Sequence, residues 1–327
     1  MDAGANVTLS VTATGNPTLK YQWYLNGTAI SGKTSATLTL NNVKAANSGT
    51  YTVTVTNSVG SATSNPATLT VDVAPVITTQ PASQTVDEGA NATFTVVATG
   101  TPTPTYQWYM AGIPISGATS ASYTIDDVQA SAAGTYTVAV TNVAGIVTSK
   151  AATLTVDTAP VITTQPQSQT VVSGTNVTFT VVATGNPAPT YQWYLNAAAI
   201  SGKTSATLTI NNAKAANAGT YTVTVTNSDG SVTSIPATLT VIVPPAITTQ
   251  PKSQTVNPGV NVTFTVVATG TPTLTYQWAF DGTPIFGATA STLTLADVQS
   301  ASVGDYSVTV TNSGGDVTSN EAVLNVK

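Results

Sequence analysis

The sequence predicts an all-β fold: four tandem β-sandwich domains joined by stiff junctions into an elongated rod. Two observations carry that expectation. Trp23, Trp108, Trp193 and Trp278 recur at a spacing of 85 residues, and so do Tyr51, Tyr136, Tyr221 and Tyr306. A fixed period of that length marks an array of similar units. Within each unit the apolar residues alternate with a period of two: in "TYTVTVTN", Tyr51, Val53 and Val55 fall on one face and Thr50, Thr52, Thr54 and Thr56 on the other, as a half-buried strand requires.

The period sets the expected boundaries at residues 1–72, 73–157, 158–242 and 243–327. The first unit opens on "MDAGANVTLSVTATG", the counterpart of "VDEGANATFTVVATG", and has no equivalent of "VAPVITTQPASQT". One strand is therefore expected to be missing from it. In the other units "NVTFTVVATG" follows as a strand, "TGNP" and its relatives as a turn, and then "YQWY", with Tyr21 and Trp23 facing opposite Gln22 and Tyr24. "LNG" turns the chain toward "SATLTL", a short helical turn is expected around "VKAANSG", and "GTYTVTVTN", "NSVG" and "PATLTV" complete the unit. Seven or so short antiparallel strands per unit point to a sandwich. At the junctions, Ala-Pro or Pro-Pro between two strands restricts the backbone and makes a stiff spacer. Units of strand length ~35–40 Å, end to end, would reach on the order of 150 Å.

Composition narrows function. The chain has no Cys and no His, and all eight of its Lys-plus-Arg residues are lysines. Without Cys or His, the commonest general base, the most easily activated nucleophile and the usual ligands of zinc, copper and iron are missing. An enzyme is not expected, nor is a cofactor. The net charge of −5 leaves no basic face for phosphates, which argues against nucleic acid and anionic membrane. No apolar run approaches the ~18–20 residues of a membrane span, and the start has neither the basic nor the apolar region of a signal peptide. Only 6% of residues are charged against the usual quarter or so. Such a neutral polar surface opposes self-association weakly.

The repeated wording "ITTQP…SQTV…NVTFTV…YQWY…AGTYTV.VTN…ATLTV" resembles immunoglobulin-like domains of the I-set kind, and is similar to the tandem repeats of bacterial extracellular and cell-surface proteins. By that resemblance, Trp23, Trp108, Trp193 and Trp278 match the core tryptophan, and Tyr51, Tyr136, Tyr221 and Tyr306 the tyrosine corner. Both positions of the family's cysteine bridge are valine in every unit: Val11 with Val53, Val96 with Val138, Val181 with Val223, and Val266 with Val308. The family's Asp, which would pair with an arginine, is Asn47, Ala132, Asn217 and Ser302. Losing a disulfide costs ~2–5 kcal/mol, and two buried valines return much of it. Removing both partners of an ion pair is cheaper than stranding one. The pattern implies a core rebuilt for burial alone.

Five further features invite a functional reading. Tyr24, Tyr109 and Tyr194 form an outward row that could stack on sugars, broken by Ala279; a half-buried strand aromatic is the plainer reading. Sequons at Asn6, Asn26, Asn91, Asn176 and Asn261 fall where Asn is a turn residue. Asp87 with Glu88, and Asp126 with Asp127, offer too few ligands for calcium. Lysine-to-asparagine crosslinks are disfavoured because Lys33 and Lys203 become Ala118 and Ala288. Thr-x-Thr rows suggest ice binding, but Thr is simply a good strand residue.

The expectation is a non-catalytic extracellular or cell-surface stalk, spacer or adhesin segment. The alternatives are a self-assembling filament or matrix subunit completed by strand addition at the first unit, and a weak carbohydrate-binding array. The expected partners are the chain itself, or surface glycans or proteins.

Overall fold

A computed structural model describes residues 1–327 and divides into two compact units, Met1–Thr158 and Ala159–Lys327. Each unit contains two hydrophobic cores, and every core draws its residues from one 85-residue period. Strands dominate. The helical content is one 3₁₀ turn per period, at Ala45–Asn47, Ala130–Ala132, Ala215–Asn217 and Ser300–Ser302.

The second period shows the plan. One layer pairs Ala92–Thr95 with Ser122–Ile125, and Val97–Thr101 with Val73–Thr79. The other is built on Gly134–Asn142, flanked by Thr105–Met110 on one side and by Gly145–Thr148 and the strand beginning at Ala152 on the other. Alternation places Phe94 and Val96 from the first layer, and Trp108, Tyr136, Val138 and Val140 from the second, in one buried cluster. The threonines between them face solvent and pair across strands, as Thr93 does with Thr124 at 2.9 Å.

One pairing departs from the antiparallel expectation. Gln84–Asp87 lies parallel to Leu154–Asp157, and the same pairing recurs between Gln169–Val172 and Leu239–Ile242 and between Gln254–Val256 and Leu324–Val326. The segment before it is antiparallel in the opposite layer, so the chain changes layers between Thr79 and Gln84. The residues in between include buried Pro81, and proline leaves a ladder readily because it has no N–H to donate.

The first period contains the same second layer, with Lys20–Leu25 against Gly49–Thr56, and the Val7–Ser10 to Thr37–Leu40 pair. It has no strand equivalent to Val73–Thr79. Of the parallel pair, a single bridge from Asp2 to Asp72 remains.

Candidate functional site

The residues that recur every 85 positions converge in the cores. Trp108, Trp193 and Trp278 have no measurable exposure and Trp23 is 3% exposed. Each lies directly across the ladder from the second valine of its pair: Trp23 from Val53, Trp108 from Val138, Trp193 from Val223, Trp278 from Val308. Val96, Val181 and Val266, the first members, are buried as well. Val11 departs from the pattern and is only half-buried, because the first period has no strand to cover it.

The polar atoms of this core all find main-chain partners. The indole N–H of Trp23, Trp108, Trp193 and Trp278 donates to the carbonyls of Ser35, Ser120, Ser205 and Ala290 at 2.8–2.9 Å. The hydroxyls of Tyr51, Tyr136, Tyr221 and Tyr306 donate to the carbonyls of Asn47, Ala132, Asn217 and Ser302 at 2.7–3.0 Å. No buried side-chain nitrogen or oxygen lacks a partner. Burial raises the pKa of all four tyrosines above the ordinary 10.0. Neighbouring Tyr123 adds to the effect at Tyr136, and Asp281 at Tyr306.

Three recurrent groups complete the core and were not singled out from the sequence. Phe94, Phe179 and Phe264 stack on the corner tyrosines with ring centroids 4.7–4.9 Å apart. The Gln22, Gln107, Gln192 and Gln277 side-chain amides each donate to two carbonyls, such as Trp193 and Ile200, and so clamp the following hairpin. Ser64, Ser149, Ser234 and Ser319 accept from the amide of the second valine at 3.0–3.1 Å. Recurrence at the same spacing as the tryptophans was their visible signal.

The tyrosine, asparagine and lysine candidates do not come together into a site, whereas Asp87 lies opposite Asp157 in the parallel pairing. Tyr24, Tyr109 and Tyr194 are half-buried and sit opposite Ala29, Pro114 and Ala199 in two-residue pairings. The sequon side-chain carbonyls tie distant segments together: Asn6, Asn91, Asn176 and Asn261 accept from the backbone amides of residues 42, 127, 212 and 297, and Asn26 from that of Thr50. Asp127 accepts from the Gln129 side-chain amide two residues on, and Glu88 from the backbone amide of Ala130, 42 residues on; both are structural roles. Lys33 and Lys203 are exposed.

The open feature lies in the first period. A slot of about 540 Å³ is lined by residues 11–16, Leu19, Val55, Asn57 and residues 59–64. Below it, a smaller cavity of about 120 Å³ reaches Trp23 and Tyr51 and has Asn65 and Ala67 on its wall.

Two facing layers, a tryptophan across the ladder from a buried valine and a tyrosine corner define an immunoglobulin-type sandwich. The immunoglobulin domain profile matches residues 74–142, 159–227 and 244–312, and a second profile of the same description matches 1–71; the chain belongs to the immunoglobulin domain family. Among relatives, Protein sax-3 of Caenorhabditis elegans is 29% identical over 86% of this chain and 25% of its own length. Hemicentin-2 of Mus musculus is 28% identical over 99% of this chain and 7% of its own length. Endoglucanase C of Cellulomonas fimi is 33% identical over 66% of this chain and 21% of its own length. The chain thus spans a quarter or less of these relatives. Sax-3 and hemicentin-2 are animal proteins and the matching profiles are described only as immunoglobulin domain, so neither a bacterial origin nor the I-set subtype is supported. Among solved structures, the I-band fragment I67–I69 of titin superimposes with a TM-score of 0.60 at 23% identity, over 78% of this chain and 99% of that one, a likeness of fold.

Proposed function

We propose that the chain is a non-catalytic spacer or adhesin segment of an extracellular or cell-surface protein. The observation that carries this is the use made of the recurrent residues. Those the period preserves are spent on closing four cores, and the sequon asparagines and Glu88 among the surface candidates are engaged in hydrogen bonds that brace the domains. The relatives support it: sax-3, hemicentin-2 and endoglucanase C differ in name and length, and what they share with this chain is a minor part of each. A segment of that kind serves as architecture around functions placed elsewhere. In the same reading the domains are 1–72, 73–157, 158–242 and 243–327, and partners are bound as surface proteins or as further copies of the chain.

A spacer must be long. Small-angle scattering of the monomeric chain should give a radius of gyration near 40 Å, as expected of a ~150 Å rod, against ~20 Å for a compact globule of this length. A compact particle would defeat the reading. So would a glycan-array signal that disappears when Tyr24, Tyr109 and Tyr194 are changed to Ala, which would favour a carbohydrate-binding array.

A further inference from the structure

We infer that Asn26 and Gly27 form a self-modifying site, at which the Gly27 nitrogen attacks the Asn26 side chain and converts that asparagine to aspartate. This is the one Asn-Gly pair in the sequence. The two residues make the turn between Lys20–Leu25 and Thr28–Ala29. Their φ values are +49° and +77°, the left-handed region that a two-residue hairpin turn requires.

Electrophile, nucleophile and leaving group are each prepared. Asn26 Oδ1 accepts from the Thr50 amide at 2.9 Å, while the Asn26 amide donates to the Thr50 carbonyl at 2.8 Å. The side chain is thereby held, and a backbone N–H faces the oxygen on which negative charge develops as Cγ becomes tetrahedral. The Gly27 N–H makes no hydrogen bond within the chain, so it is free to give its proton to solvent. An added Cβ at Gly27 would meet nothing within 4 Å, which leaves that nitrogen open to water. Asn26 is exposed, and departing ammonia enters solvent directly.

The other domains hold an unreactive counterpart and a product. In the third, Asn196 and Ala197 occupy the same turn with φ of +49° and +68°, and Asn196 Oδ1 accepts from the Thr220 amide at 2.9 Å. That site differs by the Cβ on the attacking residue. In the fourth, Asp281 precedes Gly282, and Asp281 Oδ1 accepts from the Asp305 amide at 2.8 Å. The fold therefore receives aspartate at this position in the bond that asparagine makes.

In the reaction the Gly27 N–H gives its proton to solvent hydroxide and the N–Cγ bond forms. The Cγ–Nδ2 bond then breaks, and Nδ2 takes a proton from water and leaves as ammonia. Water opens the resulting succinimide: addition at Cγ gives aspartate, and addition at the main-chain carbonyl gives isoaspartate, with an extra methylene in the turn. The balance is asparagine and water in, acid and ammonia out, with no oxidant or cofactor. Each conversion adds a negative charge to a chain whose net charge is −5.

The test incubates the folded 327-residue chain in mildly alkaline buffer at physiological temperature and follows it by tryptic mass mapping. Residues 21–33 lie between Lys20 and Lys33 and contain a single asparagine, so an amide-to-acid mass gain there reports Asn26. That peptide should convert steadily, with ammonia released in step, while Asn196 keeps its amide over the same period. Gly27→Ala copies the turn of the third domain, so the variant keeps the fold; it should slow conversion ~10-fold or more, the effect of a barrier raised by ~1.4 kcal/mol. The inference is overturned if Asn26 keeps its amide in the folded chain and converts only in urea. It is equally overturned if Asn196 converts as fast, or if Gly27→Ala leaves the rate unchanged.

Discussion

The valine pair of the third domain gives the sharpest test of how these cores are built. Val181 and Val223 are 1% and 0% exposed and belong to one cluster. If they face each other across the sandwich, Val181→Cys with Val223→Cys should oxidise to a disulfide. The bridge would close a loop of roughly 40 residues, whose lost entropy in the unfolded chain is worth about 4 kcal/mol. Shortening two buried side chains costs ~1 kcal/mol each. The oxidised double variant should therefore be more stable than the parent by about 2 kcal/mol, and its own reduced form less stable by a similar amount. For a domain of this size that is a rise of about 10 °C and a fall of about 10 °C in one calorimetric transition. Calorimetry with and without dithiothreitol, beside a thiol assay, measures both. Two free thiols after oxidation, or one melting temperature in both redox states, would refute the facing arrangement.

Further expectations follow from the same cores. Tyr221→Phe removes the bond to the Asn217 carbonyl and should cost about 1 kcal/mol in urea unfolding; Asn217→Ala should leave that bond in place, because the acceptor is main chain. The four buried tyrosines titrate above the ordinary 10.0 when folded. The unfolded chain therefore loses its protons first as pH rises. Their contribution is full below pH 10 and drains away as pH climbs through the raised folded values, so the melting temperature should fall across that alkaline range. Tyrosinate absorbance should rise together with unfolding.

Much of this structure was legible because its signals are periodic. Tryptophan and tyrosine at fixed spacing, with valine at alternate positions, specify both layers and the faces they turn inward. Other parts were hidden by chemistry that a pattern does not display. Phe94 reads as one more apolar strand residue, and its stack on Tyr136 appears only when the layers meet. The parallel pairing of Gln84–Asp87 with Leu154–Asp157 joins residues far apart in the chain, and no local alternation announces it. Pro75 looks like a spacer residue, yet it is buried, as Pro81 is, since a ring has no N–H to leave unpaired in a core. Val11 looks equivalent to Val96 by position, and differs because burial depends on a strand that is not within residues 1–72.

Glycine at the start of "GTYTV" shows the local cost of such a plan. Gly49, Gly134, Gly219 and Gly304 have φ between +152° and +157°, and an added Cβ at Gly219 would stand 2.7 Å from Asn196 Oδ1. That oxygen accepts from the Thr220 amide, so the turn and the corner tyrosine's strand are locked together. Only a residue without a side chain fits there without strain.

Each core tryptophan and each corner tyrosine donates to a carbonyl of the main chain. An acceptor of that kind is indifferent to the letter written at its position: Ser35 and Ala290 serve equally, as do Asn47, Ala132 and Ser302. A copied domain can therefore drift at these sites without losing its polar anchors. A substitution at one of these acceptor positions leaves the anchoring hydrogen bond of its tryptophan or tyrosine in place.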